Sequence, residues 1–343
     1  METHDSTAEG VVRLSEVAAY AGVSSGTVSN TINHPERVLP RTRKIVNEAI
    51  AALGYIPNQQ ARMLMGVASE VIGLVVLDVE SPFYMETAHE IERAVRRTGQ
   101  VVMLSTSDGD LDREAALLRV LAAQGVRAAM LAPSTADIDA TRYLDLPRAL
   151  PVILLDFDGG PRHCSVSVDN RQGGRLAVRH LLERGHETLA YISGPAHIRQ
   201  FAERAEGARE EMRAQGWDPS ERLIEVASPG IGIRDGQAAA ERLLAEHRPT
   251  GVLCGNDMIA FGAYRAFAAA GMKVPEDIAI VGYDDIDVAK DWIVPMTTIR
   301  QPIDELGANA ARLMIAHSSG DPDHVHEQVM LQPELVARRS TGG

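Results

Sequence analysis

The apolar positions of the chain follow two rhythms, one before residue 58 and another after residue 70. In "LSEVAAYAGV", Leu14, Val17, Ala18 and Ala21 stand at i, i+3, i+4 and i+7, the spacing of one helix face. Gly22 follows where a helix ends in a left-handed residue. Ser24 can cap a second helix, in which Val28 and Ile32 point one way while Gly26, Asn30 and Asn33 point roughly the other, with Ser29 on the flank. A third helix from Pro40 to Leu53 has Ile45, Val46, Ala49, Ile50 and Leu53 as its buried stripe and stops at Gly54, before Pro57. The first two helices, joined by a tight Gly-containing turn, predict a helix-turn-helix, and the third closes one small core over residues 12–57.

From Val71 onward, near-continuous apolar runs alternate with amphipathic stretches: "VIGLVVLDV", "VVMLSTS", "RAAMLAPS" and "VILLDF". After "SVSVDN" the alternation begins again with "TLAYISG", "RLIEVAS", "GVLCGN" and "IAIVGYDD". Strands of this kind between helices imply parallel sheets covered on both faces, and two series imply two similar lobes. The predicted fold is an all-α head followed by an α/β body of two doubly wound parallel-sheet lobes. Residues 58–69, "NQQARMLMGVAS", lie between them as a linker too short to be a stable helix alone.

Composition changes this picture in one respect. The 343 residues carry a formal net charge of −13, which argues against a nucleic-acid partner. Residues 11–69, however, hold Arg13, Arg37, Arg41, Arg43, Lys44 and Arg62 against Glu16, Glu36 and Glu48, a net +3. A mildly basic head is joined to an acidic body. No apolar run approaches the roughly 20 residues of a membrane span, and "METHDSTAEG" lacks the order of a signal peptide, so a cytoplasmic location is expected. Cys164 and Cys254 are far apart, with no neighbours at metal-ligand spacing, and are expected to be buried reduced thiols.

The exposed face of the second helix is unusual. A solvated helix face uses Glu, Lys, Gln and Arg, whereas this one offers Ser24, Ser25, Gly26, Thr27, Ser29, Asn30 and Asn33. Short donors and acceptors suit a helix laid against base edges and phosphates, because they let the backbone come close.

"LSEVAAYAGVSSGTVSNTIN", "TRKIVNEAIAALGYIPN" and "VGYDDIDVAKDWIVPMTTIRQP" resemble the lactose-repressor/galactose-repressor (LacI/GalR) family of bacterial transcription regulators, and the resemblance runs in order from about residue 12 to residue 340. It implies a homodimer on a pseudo-palindromic operator, with the second helix in the major groove and Ser25, Gly26 and Asn30 at the base-reading positions. Many members have a long side chain where Gly26 sits and Arg where Asn30 sits. Asn30 favours adenine over guanine, so A·T is expected where Arg-bearing relatives read G·C. The family's usual Ser cap of the third helix is replaced by Leu39, a loss of about 1 kcal/mol partly recovered by packing. In the linker, the resemblance implies a hinge helix that folds over the operator's centre, with Leu64 as a minor-groove wedge.

For the body the resemblance implies a periplasmic-binding-protein-like architecture with three crossings, near 166–169, 297–301 and 324–328. The first lobe then comprises residues 70–166 with 301–325 and the second 167–300 with 326–340. Ligands of open parallel sheets sit beyond the strand carboxyl ends. The residues there are polar: Ser81, Ser105, Asp156, Asn256, Asp257, Asp284 and Asp285. Any of them can simply cap the next helix, and Asp257 and Asp285 read that way. The resemblance selects Asp156, Arg204, Asn256, Asp284 and Gln301 as effector contacts. Phe83 and Tyr84, in "SPFY", can supply the apolar face on which a sugar ring stacks, and Trp217 can approach the same cleft. The acidic and amide groups favour a sugar, while a purine-type or phosphorylated effector stays open.

Other functions fit less well. Asp284 and Asp285 are adjacent and diverge, unlike two carboxylates facing across a bond, and no nucleophile elbow is present. "GIGIRDG" has the wrong spacing for a dinucleotide loop. His324 and His326, in "HVHE", are expected on one exposed face of a strand, and neither a metal nor a cofactor is expected. A transport receptor shares the body's fold but would not carry residues 12–64. The reading is a DNA-binding regulator, a repressor, controlled by a small molecule between the lobes.

Overall fold

The computed structural model describes residues 12–57, 69–135, 150–319, 321 and 323–342. They form two compact units, divided at Ser69 and Glu70.

The first unit holds helices α1 (Leu14–Ala21), α2 (Ser25–Asn33) and α3 (Pro40–Leu53). Gly22 and Gly54 end α1 and α3 at φ of 66° and 62°, a conformation in which glycine carries no Cβ penalty. Val17, Ala18, Val28, Val46 and Ala49 form the core, and Leu14, Ile32, Ile50 and Leu53 pack at its margin. Three details differ from expectation. Thr31 joins Val28 and Ile32 on the inner side of α2; its hydroxyl donates to the Thr27 carbonyl at 2.8 Å, which makes burial of the polar atom tolerable. Ile45 lies off the stripe and is 41% exposed, because the helix face runs through Val46, Ala49, Ile50 and Leu53. Leu39 makes no cap and is 75% exposed, so nothing within the head recovers the lost cap by packing.

The second unit contains two six-stranded sheets. One has the order β11-β5-β4-β3-β1-β2 and the other β12-β10-β9-β8-β6-β7. The strands of the first are β1 (Val71–Val76), β2 (Val101–Thr106), β3 (Ala128–Leu131), β4 (Val152–Leu155), β5 (Cys164–Val168) and β11 (Gln328–Leu331). Those of the second are β6 (Leu189–Ser193), β7 (Leu223–Ala227), β8 (Gly251–Cys254), β9 (Ala279–Asp284), β10 (Thr297–Arg300) and β12 (Glu334–Val336). All pairings are parallel except β10 with β12. The inner strands are buried except at an end residue of β1, β6 and β10, as sheets covered on both faces require. The helices that matter for the site are α4 (Pro82–Arg96), α5 (Leu111–Gln124), α6 (Asn170–Glu183), α7 (Arg199–Ala214), α8 (Pro219–Arg222), α9 (Ile233–Glu246), α10 (Asp257–Ala269), α11 (Asp287–Asp291) and α12 (Ile303–His317). No helix among the described residues is long and apolar enough to cross a membrane.

The crossings shift from their expected places. β5 runs to Val168, so Ser167 and Val168 still belong to the first sheet. The third crossing falls after Leu331 and not near 324–328, because β11 pairs in parallel with β5 before β12 joins the second sheet. "HVHE" therefore precedes a strand and is not part of one. His324 and His326 are half-buried and turned toward Cys164, with Cys164 Sγ 3.2 Å from His324 Nε2 and 3.7 Å from His326 Nδ1.

Candidate functional site

In the head, Ser24 begins α2 and its Oγ accepts from the Thr27 amide at 3.1 Å, a cap that satisfies one of the helix's unpaired amides. Ser25, Gly26 and Asn30 are exposed beyond it, as is Ser24, while Thr27, Ser29 and Asn33 are half-buried. Asn33 donates to Ser29 Oγ at 3.4 Å, which ties the far end of the face to the helix itself. A Cβ placed on Gly26 would meet only Ser24 Oγ, at an ordinary 3.6 Å. The fold does not demand glycine there, and glycine costs the helix about 0.5–1 kcal/mol. Leu64 lies outside the described residues.

In the body, a cleft of about 790 Å³ opens between the two sheets at their carboxyl ends. The first sheet contributes Asp78, Glu80 and Asp108; the second contributes His197, Arg234 and Asn256. It narrows to an inner cavity of about 40 Å³ lined by Phe83, Tyr84, Asp156, Phe201, Arg204 and Asp284, among others. Six of the seven expected effector residues thus meet in one place: Phe83, Tyr84, Asp156, Arg204, Asn256 and Asp284. Gln301, just past β10, stands behind them, where its Nε2 donates to Asp284 Oδ1 at 2.7 Å.

Two carboxylates sit on strained backbone at strand ends. Asp156 follows β4 at φ 50° and Asp284 ends β9 at φ 111°, a region that costs a non-glycine residue free energy and concentrates at ligand sites. Burial, partly countered by the nearby Arg204 guanidinium, pushes Asp156 up to about 6 and Asp284 up to about 7. Asp156 Oδ1 is buried with no hydrogen-bond partner. That oxygen is open to a donor from a ligand, whereas Asp284 already accepts from Gln301.

Arg204, on the second turn of α7, is fully enclosed. Its Nε donates to Asn170 Oδ1 at 2.8 Å and its Nη1 to the Gly255 carbonyl at 2.5 Å, with the guanidinium 3.6 Å from the Tyr283 ring centroid. Its position depends on a close crossing of α6 and α7. A Cβ on Gly174 would stand 2.1 Å from the Arg204 carbonyl oxygen, and one on Gly207 would stand 1.9 Å from the Arg171 carbonyl oxygen. Asn170 also accepts from the Tyr283 hydroxyl at 3.3 Å, so it orients the cation and the ring beneath it together. Sequence reading missed Asn170, because "DNRQ" reads only as a helix start. It missed Phe201 and Ile231 too, whose apolar character gave no hint that they line the cavity.

The neighbouring acids divide differently from expectation. Asn256, not Asp257, caps α10, accepting from the Ile259 amide at 2.8 Å while its Nδ2 donates to the Ile231 carbonyl at 3.2 Å. Asp257 is a buried strut that accepts from Thr298 Oγ1 at 2.7 Å and the Ile286 amide at 3.0 Å, and burial holds its carboxyl well above the usual range. Asp285 caps nothing; it pairs with Arg300 at 2.8 Å and Arg338 at 2.6 Å. Trp217 packs beside a core cluster of the second lobe under Arg222, away from the cleft. Phe83 and Tyr84 meet edge to face with centroids 5.1 Å apart on the first turn of α4.

A helix-turn-helix followed by two parallel-sheet lobes around a cleft is the fold of a DNA-binding regulator with a ligand-binding body. Comparison with known proteins bears this out. Residues 13–58 match the family model for bacterial regulatory proteins of the lacI family, and residues 178–341 match that for a periplasmic binding protein-like domain. The HTH-type transcriptional repressor PurR of Photobacterium profundum is 31% identical over 95% of this chain and 98% of its own length. The HTH-type transcriptional regulator CelR of Thermobifida fusca is 34% identical over 95% and 97%. Among solved structures, the Lac repressor dimer bound to operator and the anti-inducer ONPF superposes with a TM-score of 0.84 at 29% identity, covering 97% of this chain and 99% of that one. A complex of the transcriptional regulator CelR with cellobiose gives 0.70 at 31% identity, covering 96% and 99%. The chain belongs to the LacI family of DNA-binding transcription regulators.

Proposed function

We propose that this protein is a homodimeric repressor that binds a pseudo-palindromic operator and is controlled by a carbohydrate held between its lobes. The observation that carries the effector reading is the inner cleft. Asp156 and Asp284 are buried on strained backbone, Asp156 Oδ1 has no hydrogen-bond partner, and sugar hydroxyls are donors that reach two carboxylates at once. Phe83, Tyr84 and Phe201 offer apolar faces beside them. A solved structure similar to this chain is that of the transcriptional regulator CelR in complex with cellobiose. A cavity of about 40 Å³ is far below the roughly 300–1,000 Å³ of an ordinary small-molecule pocket. A sugar that reaches the carboxylates must part the lobes around itself. Its binding energy is thereby tied to one lobe arrangement, which is the differential affinity that control of DNA binding requires.

Ser25, Gly26 and Asn30 are the base-reading positions in this proposal, with Ser24, Thr27, Ser29 and Asn33 supporting contacts to the backbone and Leu64 wedging the operator's centre. A second copy of the chain would cover edge strand β2, where Val101, Met103 and Leu104 are exposed, together with Val120 on α5. A two-fold protein matches a two-fold operator. The lobes are taken as 70–168 with 301–331 and 169–300 with 332–340.

The test is a selection of the purified chain on random duplexes, followed by fluorescence anisotropy on the enriched sequence and a thermal-shift screen of mono- and disaccharides. The proposal expects an enriched palindrome and a sugar that shifts both the melting temperature and the anisotropy curve. A chain that enriches no duplex, or whose operator affinity no stabilising sugar alters, would sink it.

A further inference from the structure

The end of the first sheet away from the cleft holds a group of side chains that effector binding does not use. Cys164 opens β5, His317 closes α12, and His324 and His326 lead into β11. One ligand atom from each of the four lies within 4.8 Å of every other. We propose that Cys164, His317, His324 and His326 form a tetrahedral site for a zinc-class divalent transition metal.

The spacing fits. With metal–sulfur and metal–nitrogen bonds near 2.3 and 2.05 Å, the edges of such a tetrahedron are about 3.3–3.6 Å. Cys164 Sγ stands 3.2 Å from His324 Nε2 and 3.7 Å from His326 Nδ1. The rings already converge: His317 and His324 stack with centroids 4.6 Å apart and planes 6° apart, and His326 meets both nearly edge-on, at 5.1 and 5.3 Å. His317 Nδ1 is buried without a hydrogen-bond partner, a polar atom that a metal bond would satisfy. Three imidazoles crowded around a thiol gain little from one another, whereas a cation draws them together. One thiolate with three imidazoles suits zinc over calcium or magnesium, which take oxygen ligands. On binding, the Cys164 S–H bond gives way to a metal–sulfur bond, the proton leaves to solvent, and each imidazole donates a lone pair. No electron transfer is involved. The metal would fasten the connection between α12 and β11 to the start of β5, stabilising the first lobe from the end opposite the effector.

The experiment uses the untagged full chain, stripped with EDTA, desalted under a non-thiol reductant without oxygen, and titrated with Co²⁺. The proposal expects one Co²⁺ per chain with the intense visible bands of tetrahedral cobalt and a thiolate-to-metal charge-transfer band. Zn²⁺ should bleach both and raise the melting temperature. Cys164→Ser should lose the charge-transfer band, and His326→Ala should weaken Co²⁺ binding by about tenfold or more, the range in which even outer-shell changes act. If near-ultraviolet circular dichroism shows Cys164→Ser unfolded, His324→Ala and His326→Ala decide by affinity and spectrum. A pale octahedral spectrum, or tetrahedral binding unchanged in the histidine variants, overturns the assignment.

Discussion

Effector binding should release protons, and their number can be worked from the cleft. Asp284 stands at about 7 and Asp156 at about 6 in the ligand-free chain. Titrating as a pair, the two carboxyls hold about one proton at pH 6.5 and about 0.1 at pH 8. Hydroxyls that donate to both carboxylates favour the charged forms, so binding expels what the pair holds. Affinity should then rise about 20-fold from pH 6 to pH 8 and level off above. Calorimetry at pH 6.5 in two buffers of different ionisation enthalpy reads the count directly: about one proton released for the natural chain and about a quarter for Asp284→Asn. Equal enthalpies in the two buffers, proton uptake, or affinity flat over this range would refute the reasoning. The same shifts carry a stability sign. Both folded values lie above the ordinary carboxyl value, so the folded chain binds protons better between about pH 4 and pH 7. The contribution of these groups to stability is greatest below that window and declines as pH rises through it.

Three further outcomes follow from named contacts. Gly174→Ala places a Cβ against the Arg204 carbonyl, so it should force α6 from α7 and weaken sugar binding by about tenfold, with operator binding kept, as titration calorimetry and anisotropy would show. Gly26→Ala should stabilise the head by about 0.5–1 kcal/mol in denaturant unfolding yet lower operator affinity, and an unchanged affinity would remove Gly26 from the reading face. Asn30→Ala should lose about 1–3 kcal/mol on a half-site with A·T at the contacted pair; a selected half-site with G·C there, bound equally by both, would contradict the role given to Asn30.

Periodicity carried most of the architecture, because helix faces and buried parallel strands leave strong local patterns. Val28, Val46 and Ala49 stood where their spacing put them, whereas Ile45 did not, since adjacent apolar residues leave the centre of a stripe ambiguous by one position. The third crossing was misplaced because "HVHE" alternates like a strand, while true membership in a sheet depends on β11 finding β5 more than 160 residues earlier. The cleft residues at strand ends were legible as polar groups where the sheet opens. Which of them caps a helix was not, as Asn256 and Asp257 are chemically alike and differ only in position on α10. Asn170 was invisible because its role lies in a partner 34 residues away, and the Cys164 cluster was invisible for the same reason, with partners 160 and 162 residues off.

The central claim is that one part of the chain reads DNA and another part controls it. The direct measurement is anisotropy on the selected operator with and without the stabilising sugar, for the natural chain and for Asp284→Asn. The natural chain should change operator affinity by tenfold or more when the sugar is added, on the scale of about 1–3 kcal/mol typical of coupled sites. Asp284→Asn should bind the operator as the natural chain does and no longer respond. A variant that loses operator binding itself, or one that responds to the sugar undiminished, would contradict the division.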